Sequence, residues 1–191
     1  MDLAQTIALS AGLAWASGLR LYLVVFLAGV LAHFGYLHLP DTLSMLQNPL
    51  VIGVAGIMAF AELIADKVPA FDSLWDTVQT FIRIPAGALL AAFALGDVDP
   101  AWMVAAGLIG GTITAGTHFA KAGSRLAINT SPEPFSNWIA SFGEEGMVLA
   151  GLWAMLASPL VFLGLLVIFL IVAGFLLVKL WGFLGRLFRR V

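Results

Sequence analysis

Acidic side chains recur at helical spacing inside segments that are otherwise apolar. Glu62 and Asp66 lie four residues apart, and Asp72 and Asp76 repeat that interval, so each pair shares one face of a helix. Carboxylates in this arrangement suit proton transfer or the binding of a hard cation such as Mg²⁺. With two glutamates further along the chain, the predicted proton- or cation-coupling set is Glu62, Asp66, Asp72, Asp76, Glu144 and Glu145.

Basic side chains form a second pattern. His118, Lys121 and Arg125 fall at positions i, i+3 and i+7, again on one helical face. Arginine binds carboxylate and phosphate oxygens through two parallel hydrogen bonds, so such a face suits an anionic ligand. The predicted substrate-binding set is Arg20, Arg83, His118, Lys121, Arg125 and Asn129.

The composition around these residues is that of a membrane protein. Hydrophobic residues make up 61% of the 191 positions and charged residues 10%, where soluble domains carry about 25% charged residues. A core of this size cannot hide so much apolar surface from water, which excludes a soluble enzyme, a disordered chain and a coiled coil. The net charge of −2 gives no field that would collect nucleic acid. The absence of cysteine excludes disulfides and thiolate metal sites.

The apolar segments predict an all-α integral membrane protein with about six transmembrane helices in a single domain over residues 1–191. The first segment, from Leu3 to Tyr36, would be about 50 Å long as one helix, too long for an upright span. Gly12 and Gly18 are weak points, so we expect a broken or re-entrant first helix that resumes near Leu19. The start lacks the basic residues of a signal peptide. The other predicted spans cover residues 49–66, 72–95, 101–122, 136–157 and 159–183.

Basic residues orient these spans. Arg186, Arg189 and Arg190 crowd the C-terminal end, which the positive-inside rule places in the cytoplasm. The loops around Lys67 and around residues 121–125 then fall on the same side, whereas residues 37–48 and 96–100 contain no Lys or Arg. We expect the N-terminus inside as well, unless the first segment is re-entrant, which would place it outside.

An internal repeat supports this organisation. Residues 62–75 (ELIADKVPAFDSLW) align without gaps to residues 125–138 (RLAINTSPEPFSNW), with a shared proline at Pro69 and Pro132. Each copy lies between two apolar spans, so the predicted unit is helix, proline-containing loop, helix. The two units, residues 49–95 and 101–157, would be parallel repeats about an axis along the membrane normal, as in some transporters.

The same charges also allow structural readings. Asp72 and Asp76 are acids of a first helical turn, where the helix dipole favours them. Glu62 with Arg125 would make a structural ion pair, as would Arg20 with either of the two adjacent glutamates at 144 and 145. A charge in hydrocarbon is costly, and this small protein carries more of them than anchoring requires, which favours a functional site.

The leading hypothesis is a transporter or flippase for a small anion or a phosphate-bearing lipid, with proton or cation coupling. The alternatives are a metal-dependent membrane enzyme acting on a lipid phosphate, with the carboxylates holding a divalent cation as cofactor, and a structural membrane subunit. The chain lacks a Walker loop, Gly-x-Ser-x-Gly and His-Glu-x-x-His, so an enzyme is the less favoured reading. The expected partner is the lipid bilayer, without nucleic acid, and six spans are compatible with a homodimer.

Three segments resemble a known family: AELIADKVPAFDSLWDTVQTFIR, HFAKAGSRLAINTSPEPFSNW and, near the start, ASGLRLY. The chain resembles an uncharacterised bacterial family of small multi-pass inner-membrane proteins, classed as a domain of unknown function. The likeness extends over nearly the whole chain, and the run from Ser131 to Asn137 is its most distinctive part. It implies a location in the bacterial inner membrane and brings no activity.

Overall fold

The computed structural model describes residues 1–128 and 135–188, with the backbone alone at 69–70, 180–181 and 183–188. In these ranges the chain folds into α-helices and one 3₁₀ helix, without strands. The α-helices are α1 (Leu3–His33), α2 (Pro49–Ala65), α3 (Pro69–Phe93), α4 (Pro100–Ile128), α5 (Phe135–Ala157) and α6 (Pro159–Phe188), and the 3₁₀ helix is Asp41–Gln47. Four of the six α-helices begin with proline, which suits the first position of a helix because the missing N–H has no partner there.

Four described helices are long and apolar enough to cross a membrane: α1, α4, α5 and the first 21 residues of α6. The 3₁₀ helix and α2, bent by 66° to each other, would together make a fifth. The chain is therefore a multi-pass membrane protein, and the predicted count of six spans stays a prediction. Helix bounds agree with the predicted spans to within a few residues, except that α4 continues to Ile128 and α6 to Phe188.

The first helix is broken at Arg20, two residues beyond the predicted weak point at Gly18. Arg20 has φ −147° and ψ 75°, which are not helical. The half that precedes the break, residues 3–19, runs antiparallel to α3. The Ser10 hydroxyl donates to the Ala91 carbonyl at 2.8 Å, near the end of α3. Further along, Gly18 lies against His118, and His118 contacts Arg83 in the middle of α3.

The half that follows the break, residues 21–33, runs antiparallel to the first half. Gln79 of α3 donates to the Tyr22 hydroxyl at 3.2 Å, whereas Gly29 packs on the Leu46 carbonyl of the 3₁₀ helix. The two ends of α1 therefore meet: Met1 and Tyr36 line one cavity of about 230 Å³. The predicted broken or re-entrant first helix is a helical hairpin with Arg20 at its tip.

We call the end of the bundle with the α2–α3 connection (residues 66–68) the charged end. The N-terminus, the 3₁₀ helix and the α3–α4 connection (residues 94–99) lie at the opposite end. Because α2 to α6 alternate in direction, α6 finishes at the charged end. The N-terminus and the end of α6 are thus at opposite ends of the bundle, as the re-entrant alternative predicts. Asn129, Pro132, Arg189 and Arg190 lie outside the described residues.

Small residues allow the hairpin to sit close to its neighbours. Helix α1 contacts every other α-helix; most residues between Ala8 and Arg20 are buried, whereas the half after the break buries one face. A Cβ atom added at Gly18 would lie 2.6 Å from the Thr114 carbonyl oxygen and 2.7 Å from the Thr117 Cβ, whereas one at Gly116 would meet nothing within 4 Å. Backbone approach of this kind is typical of membrane helix packing.

This difference predicts opposite effects for two similar substitutions. Gly18→Ala should lower the free energy of unfolding by about 1–3 kcal/mol, because the Thr114 backbone cannot move away from the added methyl group. Gly116→Ala should be neutral or stabilising by up to about 1 kcal/mol through helix propensity. Thermal unfolding in detergent, followed by circular dichroism, compares the two variants. Equal melting temperatures would contradict the close packing of α1 on α4.

Candidate functional site

Charged side chains from five helices meet near the tip of the hairpin, in the half of the bundle towards the charged end. All are buried apart from Glu145, whose side chain is 23% exposed. We call this group the charged network. Its basic members are Arg20, Arg83, Lys121 and Arg125, its acidic members are Glu62, Asp66, Asp72, Asp76, Glu144 and Glu145, and His118 joins them. The predicted anion-binding and coupling sets are therefore one cluster, with Asn129 outside the described residues.

Three basic side chains converge on Asp66, the residue that directly follows α2. Its Oδ2 atom lies 2.8 Å from Arg20 Nη2, 3.2 Å from Lys121 Nζ and 3.4 Å from Arg125 Nη2. These cations come from α1 and α4. One carboxylate oxygen thus ties the connection after α2 to the hairpin tip and to α4.

Glu144 of α5 plays the same part on the other side of the network. Arg125 binds it through two parallel hydrogen bonds, Nε to Oε1 at 2.8 Å and Nη2 to Oε2 at 3.0 Å, which is the strong, geometrically specific form of the pair. Lys121 Nζ is 3.4 Å and Arg20 Nη2 3.3 Å from Glu144 Oε2. Arg125 therefore links α4 to α5 through a bidentate pair.

Arg83 organises the face of α3. Its guanidinium pairs with Glu62 of α2, donates to Asp76 Oδ1 at 3.1 Å and contacts His118 Nδ1 at 3.3 Å. The Thr80 hydroxyl donates to the Asp76 carbonyl and lies 2.7 Å from His118 Nε2. Since that hydroxyl proton is already used, Thr80 accepts from Nε2–H and Nδ1 accepts from Arg83. His118 is held in a single neutral tautomer.

The break in α1 takes part directly. Lys121 Nζ donates at 3.3 Å to the carbonyl of Leu19, the residue that directly precedes the break at Arg20. Arg20 itself donates to the Ser141 hydroxyl at 2.8 Å and to the Ser141 carbonyl at 3.3 Å. A discontinuous helix whose termini face buried charges is a common form of ion site in transporters.

The charges of the described network do not sum to zero. Four basic side chains face five buried carboxylates, and Glu145 is a sixth. Among the described residues, Glu62 Oε2, Asp66 Oδ1 and Asp76 Oδ2 are buried without a hydrogen-bond partner. An unpaired charge is expensive in a buried, low-dielectric place. The described part of the network is therefore suited to hold a proton in addition to its ion pairs.

The predicted ion pairs are partly those observed. Arg20 does contact Glu144 and, at 3.5 Å, Glu145. Arg125 pairs with Glu144 in place of Glu62, because α5 presents Glu144 beside α4 at that height and Glu62 faces Arg83 across α2 and α3. Asp72 is buried as predicted for an inward-facing acid.

Sequence reasoning found Glu144 and Glu145 of α5 but missed two other polar residues of this helix, Asn137 and Ser141. Asn137 accepts from Arg125 through its side-chain and backbone oxygens, at 3.2 Å and 3.1 Å, and Ser141 binds Arg20. Asn137, Ser141 and Glu144 fall at i, i+4 and i+7, which is the same one-face spacing that identified the basic residues of α4. That signal was present in the sequence and would have found them.

The described residues give no support to a divalent-cation site. Within residues 1–128 and 135–188, no three His, Asp or Glu side chains are grouped as metal ligands. Asp66 and Glu144 instead share basic partners, since Lys121 Nζ and Arg20 Nη2 each contact both carboxylates.

Comparison with known proteins identifies a family. The family model described as a domain of unknown function (DUF4126) matches residues 7–179. No curated protein and no solved structure matches the chain.

Proposed function

The chain belongs to this family of unknown function, as its sequence resemblance predicted, and from the geometry we propose that it is a membrane transporter. It moves a small anion or the anionic head of a phosphate-bearing lipid, coupled to protons. The proposal includes a location in the bacterial inner membrane with the charged end in the cytoplasm, which agrees with Lys67 in the α2–α3 connection at that end. Lys121 and Arg125, predicted to lie in a loop, are instead buried in α4 and do not bear on the orientation.

One observation carries the proposal: the charged network surrounds the break of a re-entrant helix. In the part of the chain that the structure describes, four basic and five acidic side chains are buried. Such charges carry a large insertion cost in a membrane and mark ion and substrate paths. Packing six helices together does not by itself need a break at Arg20. The non-helical dihedral angles there interrupt the helix, which is unfavourable because backbone groups at helix ends lack helical partners.

The coupling follows from charge compensation at Glu145. Its Oε1 atom is 3.5 Å from Arg20 Nη2 and 3.4 Å from the Ser141 hydroxyl, and Glu144 is its neighbour in sequence. It contacts one basic side chain where Glu144 contacts three, and its side chain is the more exposed of the two, so we assign the coupling proton to Glu145. An anion that reaches Arg20 adds a negative charge beside Glu145, and a proton taken up by Glu145 removes one. Anion and proton therefore bind together.

Proton uptake in proteoliposomes tests this mechanism. With a pH-sensitive dye inside the vesicles, an inward gradient of a transported anion should acidify the lumen. Glu145→Gln should keep anion binding, because the amide resembles the protonated acid, but reduce anion-driven proton uptake by about tenfold or more. Asp97→Asn, an exposed carboxylate of the α3–α4 connection, is the matched control and should behave as wild type.

Two results would contradict the proposal. Wild-type vesicles that acidify no faster than empty vesicles with every anion tested, including a lipid phosphate, would exclude proton-coupled transport. Unchanged proton uptake in Glu145→Gln would remove the coupling role of this residue and leave anion transport to be explained by other groups.

A structural membrane subunit is the second candidate, and one observation favours it. Each of the four buried basic side chains described already contacts a carboxylate, so all four positive charges are paired without a ligand. This reading predicts a stoichiometric partner that copurifies with the protein and depends on it for assembly, together with no flux in vesicles.

A further inference from the structure

A lipid-facing crevice leads directly into the charged network. It has a volume of about 270 Å³ and lies between the returning half of α1, α2 and α5. Its walls are apolar side chains of these helices, and Phe60 and Leu149 at its rim are exposed on the outer surface. Its two charged lining residues are Arg20 and Glu145. In the described structure, an apolar surface groove thus ends at the residues to which we assign anion binding and proton coupling.

The exposure of the network points to the same crevice. The side chain of Glu145 is 23% exposed, whereas those of the other paired network members are 10% exposed or less. Glu145, the most accessible described member of the network, is therefore reached from the side of the bundle, through apolar side chains that face the lipid. A ligand that enters here must be soluble in the bilayer.

The crevice is charged at one end and apolar along the rest of its length, as a lipid is. On α2 it extends from Leu63, near the charged end, to Gly56, further into the bundle, a distance of about 10 Å at about 1.5 Å per residue. Arg20 and Glu145 lie towards the charged end, and the apolar wall with Phe26 continues towards the middle of the bundle. A lipid in the leaflet at the charged end has its head and its chain in this same order.

We propose that this crevice binds one hydrocarbon chain of a lipid whose phosphomonoester head reaches Arg20. Arginine matches phosphate oxygens in geometry and charge, and the small volume admits only the part of one chain that is next to the head. The inference deepens the proposed function, on which it rests for the roles of Arg20 and Glu145. It selects the lipid phosphate over the small anion as the substrate class.

Binding in phosphatidylcholine nanodiscs tests the inference without a transport assay. The probes are oleoyl lysophosphatidate, monoolein with the same chain and no charge, and inorganic phosphate. Lysophosphatidate should raise the melting temperature of the wild type, and monoolein and phosphate should not. Ala59→Phe fills the crevice from α2, and should raise the half-saturating lysophosphatidate fraction by about tenfold or more. Ile57→Phe adds a similar side chain on an exposed part of α2 outside the crevice and should bind as wild type.

Leu149→Trp fills the crevice from α5 and replaces Ala59→Phe as the test variant where the latter does not fold. A shift by inorganic phosphate alone, an equal shift by monoolein, or wild-type binding by the filling variants would overturn the lipid inference. Failure of the proposed function is separate from this. Vesicles without proton-coupled flux, but with lysophosphatidate binding that Ala59→Phe abolishes, would refute transport and leave the lipid site in place.

Discussion

Asp66→Asn should lower the free energy of unfolding by about 3–5 kcal/mol, although it only replaces the carboxylate by an amide of nearly the same shape. Three basic side chains, Arg20, Lys121 and Arg125, share the Oδ2 atom of this carboxylate within 3.4 Å. Removing its charge leaves those cations buried with less compensation, the situation in which a broken buried pair costs most. The excess of carboxylates elsewhere in the network does not offset this, because the nearest charges dominate the interaction.

Chemical or thermal unfolding in detergent measures this effect. Asp41→Asn is the control, since Asp41 is an exposed acid of the 3₁₀ helix, and its effect should stay within about 0.5 kcal/mol. If Asp66→Asn has the same free energy of unfolding as the wild type, Asp66 is already neutral in the folded protein. The extra proton of the network would then reside on Asp66.

Arg125→Met should be about as destabilising, by about 3–5 kcal/mol, since it leaves Glu144 without its bidentate partner. The double variant Arg125→Met with Glu144→Gln should recover part of the lost stability, because the network then loses one charge of each sign and no bidentate partner is left unpaired. Replacing a whole buried pair by groups of similar volume is often neutral. Arg125→Met with Glu62→Gln is the matched control and should not recover stability, since Glu62 pairs with Arg83.

The folded double variant also separates function from structure. We expect it to insert and unfold like the wild type but to lose anion-driven proton uptake, because the network has lost a basic group. Full uptake by this variant would show that the pair of Arg125 and Glu144 only holds α4 against α5. Recovery by the Glu62 variant instead would show that the observed pairing of α2 with α3 is wrong.

The sequence predicted the helices well and their arrangement less well. Apolar length and prolines locate helix starts such as Pro49, Pro100 and Pro159 to within a residue, because both signals are local. The break in α1 was expected at Gly12 or Gly18, the residues with the weakest helix propensity. In the structure these glycines are needed for close contacts with Met155 and Thr114, and the helix breaks instead at Arg20.

That displacement has a physical reason which lies outside α1. The non-helical backbone of Arg20 is stabilised by partners on other helices, with Ser141, Asp66 and Glu144 around its guanidinium and Lys121 on the preceding carbonyl. Helix propensity measures only the chain near the residue, so it places the break where the local cost is lowest. Tertiary contacts place it where the compensation is greatest.

The charged faces show the same division. Spacing at i, i+4 and at i, i+3 and i+7 established which residues share a face, and the cost of charge in hydrocarbon established that these faces turn inward and meet. Both conclusions need only the sequence. Which carboxylate meets which cation depends on the rotation and height of each helix relative to its neighbour, so that Arg125 meets Glu144 and Glu62 meets Arg83.

By itself, then, the sequence determined a multi-pass helical membrane protein with a buried group of opposite charges, because composition, helical period and desolvation are properties of residues and their near neighbours. Only the tertiary structure decided that α1 turns back at Arg20 and that the network opens through Glu145 into an apolar crevice. Those features arise where α1, α2 and α5 meet. The residues that meet there are far apart in the chain, so local sequence signals do not predict their contacts.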